Sequence, residues 1–395
     1  MFLQQLGRGL RRTTTKAELV VFDLTGRHRL EFRFDRRLRA LLGHTPRELR
    51  EFVDKGFGRL PSGCHFHFDE VAREDVLEQI RRAVPTDLRG IREMLRDPAH
   101  AGLTIGQFLH ETDVELGDLY GSDRGWTLLR RGLGIDTRPL APGEEAALEN
   151  VPKLLHVGDE TRLGAWQRLA ALHKPATPRD ERVAAMLFVV LYGKQLATRE
   201  DAWLQWASQP VLREEIAALV PVLRSRNAVL ADPHELDQVI PLRLHARYLG
   251  VELSAAFDQR STKGEFRDYY TGVETTGNGA YDLLLVTLEK SAAKKEHLKY
   301  RDFPLNELRF HWQSKARTTR SSREGKRHLN PAAEGCVPLL FVREREDDRP
   351  GITAAFQYLG PVLPDGNDGE RPISIEWKLR FSMPSELVTR GRVAA

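Results

Sequence analysis

Residues 371–381 alternate apolar and polar side chains without a break. Ile373, Ile375, Trp377, Leu379 and Phe381 occupy one set of positions, and Ser374, Glu376, Lys378 and Arg380 the other. Successive side chains of a strand point to opposite faces, so this run belongs at the boundary between a core and a polar surface. A helix would scatter the same residues around its circumference. The segment predicts a strand with one buried face, the arrangement typical of antiparallel sheets. Residues 281–288 read as a buried central strand and 337–343 and 353–359 as further strands, and Asn278-Gly279 is a strong hairpin signal.

The texture changes at Ile240-Pro241. Between residue 47 and that point the apolar residues recur mostly at helical spacing, with Trp166, Trp203 and Trp206 as core anchors on helical faces. The predicted class is α+β, with a helical region at 47–240 and a mixed domain at 241–395 built on an antiparallel sheet. Charged residues make up 29% and apolar residues 41%, which excludes a disordered or fibrous chain. No apolar run reaches the roughly 18 residues needed to cross a bilayer, and the N-terminus lacks the apolar core of a signal peptide. Cys64 and Cys336 are too few for a disulfide framework or a cysteine-rich zinc site. A cytoplasmic protein without a membrane partner is expected.

Within the helical region, residues 103–134 read as three short helices joined by tight turns, a pattern compatible with a helix-turn-helix. Glu115 and Asp118 make the second helix a poor reader of DNA, so the third, with Arg124, Arg130 and Arg131, is the better candidate if the unit touches DNA; plain bundle packing is the favoured reading. His65 and His67 alternate on a short predicted strand and could share a metal, but Cys64 faces the other way, so no metal is expected.

The chain opens with an amphipathic helix at 1–12, with Leu3, Leu6 and Leu10 on one side, followed by a buried strand at 17–24. Residues 1–50 carry a large excess of arginine over acidic side chains, which favours a polyanionic partner. Gln4-Gln5-Leu6-Gly7-Arg8-Gly9-Leu10-Arg11 fits the pattern Q-x-x-G-R-x-x-R. It resembles the last conserved motif of superfamily II helicases and translocases, which lies on the second of two RecA-like lobes. The resemblance implies that residues 1–46 are a remnant of that lobe. It also implies that Gln4, Arg8 and Arg11 contact the phosphates of an ATP held by a partner lobe, where an arginine fork can meet the charge that builds in phosphoryl transfer. The chain has no G-x-x-x-x-G-K-[ST] to cradle those phosphates. No ATPase activity is expected of it alone, and ATP and Mg2+ are cofactors only of a completed helicase.

The resemblance extends through residues 241–248 and 282–291, Phe310-His311-Trp312-Gln313-Ser314, residues 340–344 and Ile375-Glu376-Trp377-Lys378-Leu379. These segments resemble an uncharacterised domain that follows the core of bacterial superfamily II helicases. The implied function is the C-terminal portion of such a helicase, in a family associated with DNA repair or phage defence. DNA is the expected partner, RNA the alternative, and a separate ATPase lobe or an upstream part of the same gene product would complete the ATP site.

The residues themselves single out 310–328 as the nucleic-acid site. His311, Trp312 and Gln313 put ring surfaces and hydrogen-bonding groups together, and Lys315, Arg317, Arg320, Arg323, Lys326 and Arg327 follow, interleaved with small hydroxyls. Such a mixture suits phosphate contacts beside an unstacked base or single strand. A nuclease arrangement of Asp282, Glu289 and Lys290 would need a metal and a base gathered together, yet along one strand Asp282 and Glu289 stand about 20 Å apart. Two other functions fit the same residues. One is a stand-alone reader of modified or unpaired bases with His311-Trp312-Gln313 as its pocket; the other is a module docking a separate ATPase through Leu3, Leu6 and Leu10.

Overall fold

The computed structural model describes residues 88–112, 114–121, 124–195, 199–226, 236–289, 302–384 and 387–388. The Gln4–Arg11 motif, the RecA-like remnant at 1–46, the His65/His67 pair and Lys290 lie outside the described residues. Helices occupy Leu88–Arg96 (α1), Ile105–Thr112 (α2), Leu116–Leu119 (α3), Trp126–Gly132 (α4), Glu144–Leu148 (α5), Glu160–Ala170 (α6), Pro178–Tyr192 (α7), Arg199–Ala207 (α8), Pro210–Arg226 (α9), Gly250–Ala256 (α10) and Arg323–Leu329 (α11). Strands are Arg247–Tyr248 (β1), Gly272–Thr276 (β2), Tyr281–Thr287 (β3), Phe303–Asn306 (β4), Arg309–Gln313 (β5), Val337–Arg343 (β6), Asp347–Arg349 (β7), Ile352–Thr353 (β8), Phe356–Asp368 (β9) and Ser374–Leu379 (β10). The fold is α+β, helical first and then built on a sheet. Among the described residues no helix is long and apolar enough to cross a membrane.

Two compact units divide the chain: residues 1–103 with 107–119, and residues 104–106 with 120–395. In the first, Thr112 ends α2 by donating its hydroxyl to the Phe108 carbonyl at 2.6 Å. The three short helices expected at 103–134 form, but α3 belongs to the first unit and α4 to the second.

In the second unit α7 is the central helix. Thr177 caps it by accepting from the Asp180 amide at 3.1 Å, Pro178 occupies the first turn, and Gly193, with φ 88°, ends it. Val183 through Leu191 are all buried, so the helix is apolar on every side and needs neighbours all round. Trp166 and Trp206 are fully buried, the latter donating its indole N–H to the Leu169 carbonyl at 2.9 Å, whereas Trp203 is half-buried. The Glu144 carboxylate accepts from the amides of Ala141 and Leu212, each at 2.8 Å, which satisfies the start of α9.

The change of texture at 240–241 falls inside this unit, and α10 packs against α7. A buried ionic cluster joins the two regions. Arg162 donates to Asp159 at 2.6 Å, to Glu252 at 2.9 Å and to the Arg247 carbonyl at 2.6 Å, while its guanidinium lies 4.2 Å from the centre of the Tyr248 ring. His156 reaches the other Glu252 oxygen at 2.7 Å. Burial alone would raise the Glu252 carboxyl, but His156 and Arg162 outweigh it and hold the group below its ordinary value.

The eight-stranded sheet runs in the order β2-β3-β6-β9-β10-β5-β4, with β1 alongside β9. Its core is Leu284, Val286, Leu340 and Val342 from the centre, with Phe310, Trp312, Ile375 and Trp377 from the β5/β10 side. The sheet differs from the expected antiparallel one: β3 and β6 run parallel, in register from Tyr281↔Val337 to Thr287↔Arg343. A period of two reveals which face is buried but not which way a neighbour runs, and a parallel pair needs a long crossover. Here the crossover contains β4, β5 and α11. Strand β9 also outruns the expected 353–359 segment, because Gly360, with φ 93°, and Pro364 sit at ladder irregularities where such residues are tolerated.

Candidate nucleic-acid interface

Strand directions place several element ends together. Leu339 pairs with Pro361, so the last residues of β9 extend past the starts of β3 and β6. Ser374 opposite Asp368, and Gln313 opposite Ser374, put the start of β10 and the end of β5 at that same end of the sheet. The basic segment 314–330 begins there. Ser314 and Ile373 exchange two hydrogen bonds, amide to carbonyl and amide to hydroxyl, both 2.9 Å.

Local chemistry folds this segment into a compact loop. Ser322 caps α11 by accepting from the Gly325 amide at 3.1 Å and donates to the Thr319 carbonyl at 2.6 Å. Gly325 is required by contact, since a Cβ there would lie 1.9 Å from the Thr319 carbonyl oxygen. Thr318 donates to Glu324 at 2.9 Å, beside a Lys315–Glu324 ion pair of 2.7 Å. Burial pushes the Glu324 carboxyl up, and the bonds from Lys315 and Thr318 more than reverse that. Thr318, Thr319 and Ser322, expected to meet phosphate, thus bond within the loop itself.

The six expected cations separate into two groups. Arg327 is buried and belongs to the interior: its Nε and Nη2 bond both oxygens of Asp282 at 2.9 and 2.8 Å, and Nη2 also reaches the Gly279 carbonyl at 2.8 Å. Lys315 is spent on Glu324. Arg320 braces the end of β9, donating to the Gly369 carbonyl at 3.0 Å and to the Asn367 side chain, while its amide bonds Glu370 at 3.0 Å. Arg317, Arg323 and Lys326 are exposed, and among the described residues none of these three has an acidic partner. They form a cationic edge on a braced loop.

Residues 310–313 do not share one surface. Alternation along β5 turns Phe310 and Trp312 into the core and His311 and Gln313 outward. Trp312 is 4% exposed, 6.1 Å from Trp377 and edge-on to His328 at 5.1 Å, so its indole has no open face for a base. The His311 ring instead stacks on Phe303 of the edge strand β4, with centroids 4.8 Å apart and planes 17° from parallel. Gln313 donates to the Ser374 hydroxyl at 3.2 Å. Nothing in residues 310–328 alone pointed to Phe303; the hairpin pairing Phe303↔His311 brings it in.

The other sequence candidates lie elsewhere. Asp282 is held by Arg327 and by the Thr275 hydroxyl at 2.7 Å, while Glu289 pairs with Arg345 at 3.3 Å, so the two carboxylates do not converge. Among the described residues no group of three or more histidine, cysteine or carboxylate side chains is placed to hold a metal. Cys336 is buried, and burial pushes its thiol up to about 11, which leaves it protonated and inert at neutral pH. In α4, Trp126 and Thr127 are buried, the Thr127 amide donates to buried Glu215 at 3.0 Å, and Arg130 lies over the Trp126 ring at 4.9 Å. A further concavity of about 570 Å³, including its open mouth, is walled by Ala185, Phe188, Trp203 and Phe266, with the Lys174–Glu200 pair at its rim. Its balanced rim charges do not select a polyanion.

Residues 242–390 match the family model of a domain of unknown function, DUF3427. No curated protein matches the chain.

Proposed function

We propose that this chain binds nucleic acid through the 314–330 loop, as the C-terminal portion of a superfamily II helicase or translocase. The observation that carries this reading is the trio Arg317, Arg323 and Lys326, exposed and, among the described residues, without acidic partners on a loop whose remaining cations are used to hold it in shape. A cationic edge of fixed form favours a polyanion, and the phosphate backbone is the commonest one. Support for the helicase context comes from the Gln4–Arg11 motif and from the occurrence of DUF3427 domains in helicase-associated proteins. In that context Gln4, Arg8 and Arg11 meet the phosphates of an ATP held, with Mg2+, by a lobe outside this chain.

The test is equilibrium binding of fluorescein-labelled DNA, followed by anisotropy over a series of salt concentrations. Affinity should fall linearly on a log–log plot, and replacing Arg317, Arg323 and Lys326 together with serine should flatten the slope by roughly 2–3, about 0.7–0.9 for each phosphate no longer neutralised. These side chains are exposed, so thermal unfolding should not move. Salt-independent binding, or a triple variant that binds like the parent, would overturn the proposal.

A further inference from the structure

We infer that the nucleic acid taken by this surface is a single strand, its phosphates on the cationic loop and its unpaired bases against the outer face of the β4-β5-β10 sheet at Phe303 and His311. The inference rests on the nucleic-acid reading above and adds the class of substrate.

Three placements support it. First, Phe303 and His311 form a stacked pair on the solvent side of the sheet and both are half-buried, so the pair presents ring surface where Trp312 presents none. Every base has a flat face, and sequence-tolerant stacking on such rings is how single strands are held. In a duplex those faces are already occupied by neighbouring pairs.

Second, the stack and the start of the loop meet at one end of the sheet, while α11 lies against the core face with His328 touching Trp312. Gln313 and Ser374 pair across the strands two positions from His311, about 7 Å at strand rise. The loop leaves β5 at Ser314, and Arg320 is fixed to residues 367–370 at that same end of the sheet.

Third, the outer face offers no surplus of cations to draw phosphate. Glu376 stands opposite His311, Arg309 is occupied by Asp365 at 2.7 Å with Glu376 at 3.8 Å, and Lys378 stands opposite Arg309, so cations and carboxylates balance there. The loop cations Arg317, Arg323 and Lys326 therefore draw the phosphates, while carboxylate and amide groups on the face can accept from or donate to base edges.

The experiment compares labelled oligothymidylate, oligouridylate and a DNA duplex of equal length against the full chain, with Phe303→Leu and His311→Gln beside the parent. Phe303→Leu keeps apolar volume on the strand and His311→Gln keeps a hydrogen-bonding group, so each removes a ring with little cost to folding, checked by thermal unfolding. Expected are tighter binding of at least one single strand than of duplex, and an affinity loss of roughly tenfold for that strand in either variant with duplex affinity unchanged. If the sugar matters, the two single strands will differ while both ring variants still weaken the better one. Duplex bound as tightly as both single strands, or ring variants that leave single-strand affinity intact, would overturn the inference. A loss in the Arg317/Arg323/Lys326 variant alongside such a result would leave the broader nucleic-acid reading standing.

Discussion

Replacing Arg327 with alanine separates the interior of the loop from its cationic edge. The guanidinium makes two bonds of 2.9 and 2.8 Å to Asp282, whose side chain is 2% exposed, and a third to the Gly279 carbonyl. In the variant the carboxylate keeps the Thr275 hydroxyl at 2.7 Å and the Cys336 thiol, but no cation among the described residues. Removing one partner of a buried pair leaves an uncompensated charge, which costs about 3–5 kcal/mol. With a urea dependence of about 3 kcal/mol per M, the unfolding midpoint should fall by roughly 1–2 M. The double variant Asp282→Leu with Arg327→Met should recover most of that loss, because two apolar groups carry no stranded charge. Urea titration monitored by tryptophan fluorescence reads both, with Trp312 and Trp377 in the affected core. An Arg327→Ala protein with an unchanged midpoint and weakened DNA binding would refute the interior assignment and return Arg327 to the contact surface.

Gly325→Ala should destabilise the loop by at least about 2 kcal/mol, since its Cβ would meet the Thr319 carbonyl at 1.9 Å and backbone cannot step aside cheaply; proteolysis of the 314–330 segment should quicken in step with the lower midpoint. His328 yields a pH prediction: burial pushes its imidazole below the ordinary value, with Asp282 and Glu324 raising it and Lys315 and Arg327 lowering it. The unfolded chain therefore binds the extra proton first, so stability is complete above about pH 6.5 and declines below it by at most about 1.4 kcal/mol per pH unit; His328→Gln should remove this part of the slope between about pH 7.5 and about pH 5.5 in paired urea titrations.

Strand β10 was legible because its alternation is unbroken, and β6 because an apolar run of strand length occupies 337–343. The parallel pairing of β3 with β6 was not, since direction resides in the crossover and not in either strand. The helical character of the region holding α6 to α9 could be read from apolar spacing, although that spacing placed Trp203 as firmly inside as Trp166 and Trp206. The same period of two that identified β10 assigns His311 and Gln313 to one face of β5 and Phe310 and Trp312 to the other; taking the four as a block concealed it. Arg327 is different in kind. Its partner Asp282 is 45 positions away, and no local pattern distinguishes an arginine destined for the interior from its exposed neighbours Arg323 and Lys326.

The loop's anchorage has a mechanical consequence. Ser314 fixes it beside β10, Arg320 to the end of β9, and Arg327 to the start of β3, with β6 between the last two strands. Tension applied to the loop is therefore shared among three strands of the sheet instead of peeling back one. Strand ladders yield when unzipped one bond at a time and resist when several bonds must slide together. If a motor pulls nucleic acid past this surface, the brace lets the loop serve as a brake shoe that holds its shape under drag.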